Sequence, residues 1–290
     1  MKLTLLSILA GALLLPALVN AAPKKLLVVT TTTEFRHSSI PLSETIIADL
    51  AKQYGTFTVD FIHQPDGKPT AKRNATAEDK AAFAAAEAQW KEKLKEALQK
   101  LSPDSLKNYD AVAFVSTTGD LPIPDPDGFL NWITNGGAFI GIHAASDTFH
   151  HWPGFIAMLG GEFDHHGQQV AVECLNEDPQ HPATAHLGET WTIKQEEIYE
   201  FRNYDPAKVH DLLILDKAPQ LPHAPGHFPV SWAKPYGKGK IFYTSLGHRE
   251  DLWDTDASIK DRKNSEDISK AYQQHVLGGI EWALGVKPGK

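Results

Sequence analysis

GGAFIGIHAASDTFHHWPGF, Gly136 to Phe155, is the stretch that decides the fold. Ala138 to Ile142 is bounded by glycine and apolar on both faces, the pattern of a parallel strand buried between two helical layers. A parallel α/β sheet places its chemistry at the carboxyl ends of its strands, and His143 stands at such an end. Ala144 and Ala145 follow it and let the chain turn tightly. His143 is therefore the first candidate functional residue, with a hydrogen-bonded core histidine as the structural alternative.

Working outward, Lys24 to Thr30 reads as the first central strand, being apolar and β-branched. Ser39 offers a helix cap and Pro41 fits a first turn, with Ile46, Ile47, Leu50 and Tyr54 on the apolar face. Thr56 to Ile62 is the second strand and completes a βαβ unit. Gln64 to Leu101 spaces Phe83, Trp90, Leu94, Leu98 and Leu101 as an amphipathic helix, with Thr76 and Asp79 as a capping box at its start. Its charged face is read as solvated, and no chemistry is assigned to it. Asp110 to Thr117 is the third strand, and a helix through Phe129, Trp132 and Ile133 leads into the opening strand. After a helix from Trp152 to Leu159 come strands at 168–175, 189–193, 212–215, 229–233 and 240–245, then a final helix over 267–284.

The chain opens MKLTLLSILAGALLLPALVNA, one lysine, an apolar run and a small-residue end, which predicts a cleaved secretory signal at residues 1–21 and a periplasmic or secreted protein. The run is short for a membrane anchor and contains Pro16, so no stable span is expected after cleavage. Residues 22–290 then form a single domain. Loss of Lys2 would move the formal net charge from −8 to −9, which argues against nucleic acid or anionic lipid as partner and favours a small, neutral or weakly charged molecule. The one cysteine, Cys174, has no intrachain disulfide partner and lies in an apolar run, so it reads as a buried structural thiol.

Of 14 histidines, His37, His143 and His248 follow predicted strands, and in a doubly wound sheet those loops share one rim. Imidazole serves there either as metal ligand or as proton-transfer group. In SLGHRED, Glu250 could orient His248; the alternative is a solvated loop acid. In GGEFDHHG, at most one of His165 and His166 can face a given site if the segment is extended. HExxH, paired CxxC and acidic calcium loops are all missing from the sequence, so a metal such as zinc would need distant loops, with His143, His166 and His248 as candidate ligands. Asp147 is a candidate for contact with a substrate hydroxyl or an imidazole. Glu196 or Glu197, with Tyr199, could complete a polar pocket, and one of Trp152, Trp232 and Trp253 could grip the apolar face of a sugar ring.

Taken together, FRH at Phe35 to His37, GGAFIGIHAASDT followed by WPGF, GGEFDHHG, His181-Pro182, EEIYEF and YGKGKIFYTSLGH resemble the trehalose-utilisation, or ThuA-like, proteins over about Lys24 to Leu284. The resemblance implies an α/β fold, flavodoxin-like or class I glutamine amidotransferase-like, doubly wound and mostly parallel with added antiparallel strands. The segment from Gln64 to Leu101 is longer than that pattern. Amidotransferases carry a G-x-C-x-G nucleophile turn; here Gly141-Ile142-His143-Ala144-Ala145 has histidine in the cysteine's place, which excludes a thioester route to ammonia. The family implies action on carbohydrates, trehalose-type or other glycosides oxidised to 3-keto sugars. The expected function is therefore isomerisation, elimination or hydrolysis by histidine-assisted, and with zinc metal-assisted, proton transfer. His143, His248, Asp147 and Glu250 are the catalytic candidates, and Arg36, His37, Trp152, Glu197 and Tyr199 the substrate contacts. The alternatives are a non-catalytic carbohydrate-binding or scaffolding module and a metal-dependent amide or ester hydrolase.

Overall fold

The computed structural model describes residues 22–289, so the signal expected at residues 1–21 lies outside the described part. In chain order the elements are β1 (Lys24–Val29), α1 (Ile40–Tyr54), β2 (Phe57–Ile62), α2 (Ala77–Ala97), α3 (Pro103–Leu106), β3 (Ala111–Val115), α4 (Pro126–Thr134), β4 (Ala138–Ile142), α5 (Pro153–Leu159) and β5 (Glu162–His166). Then follow β6 (Val170–Asn176), β7 (Thr190–Glu196), β8 (Tyr199–Arg202), β9 (His210–Lys217), β10 (Pro225–Tyr236), β11 (Gly239–Thr244), α6 (Glu250–Trp253) and α7 (Glu266–Ala283). Nine strands form one sheet in the order β2-β1-β3-β4-β11-β10-β9-β6-β7. The half from β2 to β11 is parallel. The half from β10 to β7 is antiparallel.

The two faces of the sheet bury separate cores because side chains alternate along each strand. Leu26 and Val28 of β1 join Ile47 and Leu50 of α1 and Tyr272, Val276 and Ile280 of α7. Leu27 and Val29 join Trp90 and Leu94 of α2, Phe129 of α4 and Phe155 of α5 on the other side. α7 lies so close that a Cβ on Gly279 would stand 2.3 Å from the Phe242 ring, and no side chain fits there.

The apolar runs predicted as strands are strands, and the Thr76–Asp79 capping box is formed. Two expectations change. Ser39 precedes α1 but makes no side-chain cap; its hydroxyl donates instead to the Gly247 carbonyl at 3.1 Å. Only the second half of the amphipathic face of α2 is fully covered, through Trp90 and Leu94, while Phe83 stays partly exposed. A separate two-stranded sheet, β5 with β8, was not predicted, and it shapes the site described next. No described helix is long and apolar enough to cross a membrane.

Candidate functional site

Parallel strands β1, β4 and β11 end on one rim of the sheet, and each is followed by a histidine. His143 is the first residue after β4 and has a left-handed backbone, φ +52°. Such a turn in a non-glycine residue is costly and needs surrounding support. Tyr243 supplies it, its hydroxyl donating to the His143 carbonyl at 2.8 Å while also pairing with Ser146 Oγ at 2.8 Å. Gly141, two residues earlier, lets Tyr243 pack that close, since a Cβ there would lie 2.8 Å from its ring. His37 arrives from the β1–α1 loop. The loop carrying His248 is pinned to it through Gly247, whose carbonyl accepts from Ser39 Oγ and, at 2.9 Å, from Trp253 Nε1.

The imidazole of His143 is fully buried, and its Nδ1 lies 2.7 Å from the Ser245 carbonyl. A carbonyl only accepts, so Nδ1 carries the proton and the Nε2 lone pair faces the site. That Nε2 stands 3.0 Å from His37 Nε2 and 3.2 Å from the Tyr199 hydroxyl, which can donate to it. Glu197, in the turn between β7 and β8, places Oε1 at 3.8 Å from His143 Nε2 and 3.2 Å from His248 Nδ1. The contact with His248 is too poorly aligned for a hydrogen bond, so that buried nitrogen, like His37 Nδ1, has no hydrogen-bond partner.

Burial pushes the His37 imidazole down to about 4 and His143 well below the ordinary range, so both are neutral at pH 7. For His248 burial acts in the same direction, but Glu197 and then Glu196 outweigh it and raise the net value. Glu196 is itself pushed up to about 7 by burial. One ligand atom from each of His37, His143, Glu197 and His248 falls within 4.8 Å of all the others. Tetrahedral ligand atoms around a zinc ion bound at about 2.0–2.1 Å stand roughly 3.3–3.4 Å apart, close to the 3.0, 3.2 and 3.8 Å found here. Three imidazole nitrogens and one carboxylate, with a lone pair already aimed inward, suit a zinc-like cation.

Above the cluster opens a pocket of about 250 Å³, lined by Phe35, His37, Asp147, Phe163, His166, Glu197, Tyr199 and His248. Phe35 is 63% exposed and forms one apolar wall; Phe163, on β5, packs 4.3 Å from the Tyr199 ring and forms another. The small β5–β8 sheet thus supplies both an aromatic wall and the hydroxyl on His143. It is not the largest hollow. A cavity of about 470 Å³ lies beside α5 and β5, with His150 and Glu162 in its lining.

The sequence profile of the ThuA family, described as trehalose utilisation, matches residues 25–283. The chain belongs to the ThuA family. A ThuA-like protein of Parabacteroides merdae, described as putative, aligns with TM-score 0.63 and 20% identity over 92% of each chain. A second, from Bacteroides uniformis, aligns with TM-score 0.59 and 20% identity over 93% of this chain and 95% of its own. These likenesses establish the fold. Comparison with curated proteins gives no match. The family description associates this ThuA protein with carbohydrates.

Of the residues singled out from the sequence, His37, His143, Glu197, Tyr199 and His248 come together, and Asp147 and His166 line the pocket mouth. His166, expected beside His143 and His248 as a ligand, is outside the tight cluster. Its Nδ1 donates to the Gly167 carbonyl at 2.7 Å and stands 3.2 Å from Glu197, while His37 and Glu197 complete the donor set. Glu250 begins α6 and forms no ion pair with His248, whose paired carboxylate is Glu197. Arg36 turns away, donating to the Thr30 carbonyl at 2.7 Å. Trp152 stacks on Phe155 and meets Phe149 edge-on, and Trp232 and Trp253 are fully buried; none of the three lines this pocket. Phe35 and Phe163 are the phenylalanines that line it; both sat in quoted motifs without being assigned a role.

Proposed function

We propose that this ThuA protein is an exported enzyme that transforms carbohydrates bearing a ring carbonyl, trehalose-type or other 3-keto-glycosides, by proton transfer next to that carbonyl. The observation that carries this reading is the convergence of three imidazoles and one carboxylate under a small pocket with aromatic walls. A ketone in the ring acidifies the adjacent C–H bond: as the proton leaves, its electron pair moves onto the carbonyl oxygen, and the resulting enolate leads to isomerisation or elimination. A divalent ion such as zinc, held by His37, His143, Glu197 and His248, would supply Lewis-acid polarisation of that oxygen.

The chain's own groups have distinct parts. Ser245 fixes the His143 tautomer, so its Nε2 offers a lone pair to a cation, or takes a proton where none is bound. Tyr199, whose phenol burial holds well above its usual range, stays protonated and donates to that nitrogen or to a sugar oxygen. Phe35 and Phe163 present apolar rings to the C–H faces of the sugar. Cys174 supports the exclusion of thiol chemistry: it is buried on β6 and its thiol is pushed up to about 12. Consumption of a 3-keto-glycoside, followed by proton NMR, tests the proposal. Replacing His143 with alanine should reduce turnover by roughly 100-fold or more while the protein stays folded. Unchanged turnover would remove His143 from the chemistry, and sugar binding without turnover in the unaltered protein would favour a binding module.

A further inference from the structure

The opening stretch holds a second device, eight residues long, between His143 and His150. Phe149 has a left-handed backbone, φ +63°, and folds the chain so that His150 returns over Asp147. His150 is then clamped from both sides. Its Nε2 lies 2.7 Å from Asp147 Oδ1 and its Nδ1 2.6 Å from Glu162 Oε1 on β5. A neutral imidazole has one N–H. With both ring nitrogens on carboxylate oxygens, either His150 is an imidazolium or one carboxyl holds the proton. Glu162 is the wrong carboxyl for that, because Arg202 Nη2 at 2.8 Å and Asn203 Nδ2 at 2.7 Å also donate to it. Those bonds, that of Arg202 first, hold it down at about 2.

Asp147 differs from Glu162 in every respect that matters for proton exchange. Its Oδ1 has His150 as sole partner, and among the described residues Oδ2 accepts no hydrogen bond. It lines the pocket above the histidine cluster, whereas Glu162 lines the larger cavity behind, and His150 spans the wall between them. Burial raises the Asp147 carboxyl, and the bond from His150 acts against that.

We propose that Asp147 is the group that takes the proton from, and returns it to, the carbon next to the sugar carbonyl, and that His150, charged and held by Glu162, is the residue that positions it. This rests on the proton-transfer reading of the pocket given above. In the forward step the C–H bond breaks, its electron pair passes to the carbonyl oxygen, and the proton forms a bond with Asp147 Oδ2. The Asp147–His150–Glu162 group goes from one net negative charge to none. In the return step Oδ2, its proton free to exchange with solvent, protonates that carbon, or protonates the former carbonyl carbon while the proton of the adjacent hydroxyl passes to the enolate oxygen, and no reactant besides water is needed. His150 keeps both protons throughout. It holds Oδ1, leaves Oδ2 facing the sugar, and supplies the positive charge that keeps a half-buried carboxylate ionised beforehand.

The charged groups facing this device are few. His150 meets Asp147, Glu162 of β5 and Arg202 of β8, with Asp164 3.6 Å from Arg202. Asp205, Lys208 and Lys234 share the cavity behind, and Glu34 and His166 act on Asp147 from the pocket side.

Two measurements on the whole protein decide the matter. The first is nitrogen-15 NMR of histidine-labelled protein, with the His150 signal assigned by its loss in His150→Gln. We expect both ring nitrogens of His150 to be protonated at pH 7.5, and the midpoint of its titration to fall by about one pH unit or more in Glu162→Gln. A neutral His150 at pH 7.5, or a midpoint unmoved in Glu162→Gln, would overturn the clamp. The second is deuterium uptake next to the carbonyl of a 3-keto-glycoside in heavy water. Asp147→Asn should slow it roughly 100-fold, and the acid limb of its pH profile should move up by about one unit in His150→Gln. A uniform loss of rate with no movement of that limb would reduce His150 to packing. No uptake by the unaltered protein would refute the proton-transfer reading and the role of Asp147 with it, while the clamp would still stand or fall on the spectrum.

Discussion

Glu162→Gln should cost this protein about 2 kcal/mol at pH 7 and much less near pH 3. The Glu162 carboxylate is 3% exposed and takes bonds from Arg202, Asn203 and His150, which lower it from 4.5 to about 2. At about 1.36 kcal/mol for each pH unit, that difference corresponds to roughly 3.4 kcal/mol of stability. Arg202 is half-exposed, and solvent screening brings the value down towards about 2 kcal/mol. Because the folded-state value is depressed, this stability is fully present above pH 4.5 and is lost as pH falls from there through about 2. Thermal unfolding should therefore show Glu162→Gln melting roughly 4–8 °C below the parent at pH 7. The gap should close by more than half at pH 3. An equal deficit at both pH values would mean that packing, not charge, carries the effect, and no deficit at pH 7 would refute the reasoning altogether.

Gly279→Ala should destabilise by about 1–2 kcal/mol although alanine is the better helix former, because the new Cβ would meet the buried Phe242 ring at 2.3–2.5 Å; chemical denaturation measures it. Cys174→Ala should cost roughly 1–2 kcal/mol in the same assay and leave turnover of a 3-keto-glycoside intact, whereas lost turnover in a folded variant would reinstate thiol chemistry.

The parallel half of the sheet was legible because β3, β4 and, after its two lysines, β1 are buried on both faces and read as unbroken apolar runs. The same fact made His37, His143 and His248 legible, since each follows such a run. β5 and β8 were not, because Glu162–His166 and Tyr199–Arg202 are short and largely polar, and pair only with each other. Missing them hid the part of Phe163 in the pocket wall and the contact of the Tyr199 hydroxyl with His143, although Tyr199 itself stood out in the sequence. Glu250 drew attention by standing two residues from His248, whereas the carboxylate that reaches His248 comes from Glu197, on the far side of the antiparallel strands. Sequence proximity carries little weight in a site assembled from loops. His150 was hidden for a related reason: its role depends on the turn at Phe149 and on Glu162, neither visible as a pattern of residue types.

Zinc titration of the metal-stripped protein bears most directly on whether four side chains from separate loops form one centre. One equivalent should bind per chain. Affinity should fall at least about 100-fold in each of His37→Ala, His143→Ala, Glu197→Gln and His248→Ala, and stay within a few-fold in His166→Ala and Glu250→Gln. Absence of stoichiometric binding, or binding that survives loss of His143 and Glu197 but not of His166, would contradict the assignment of this cluster as the functional centre.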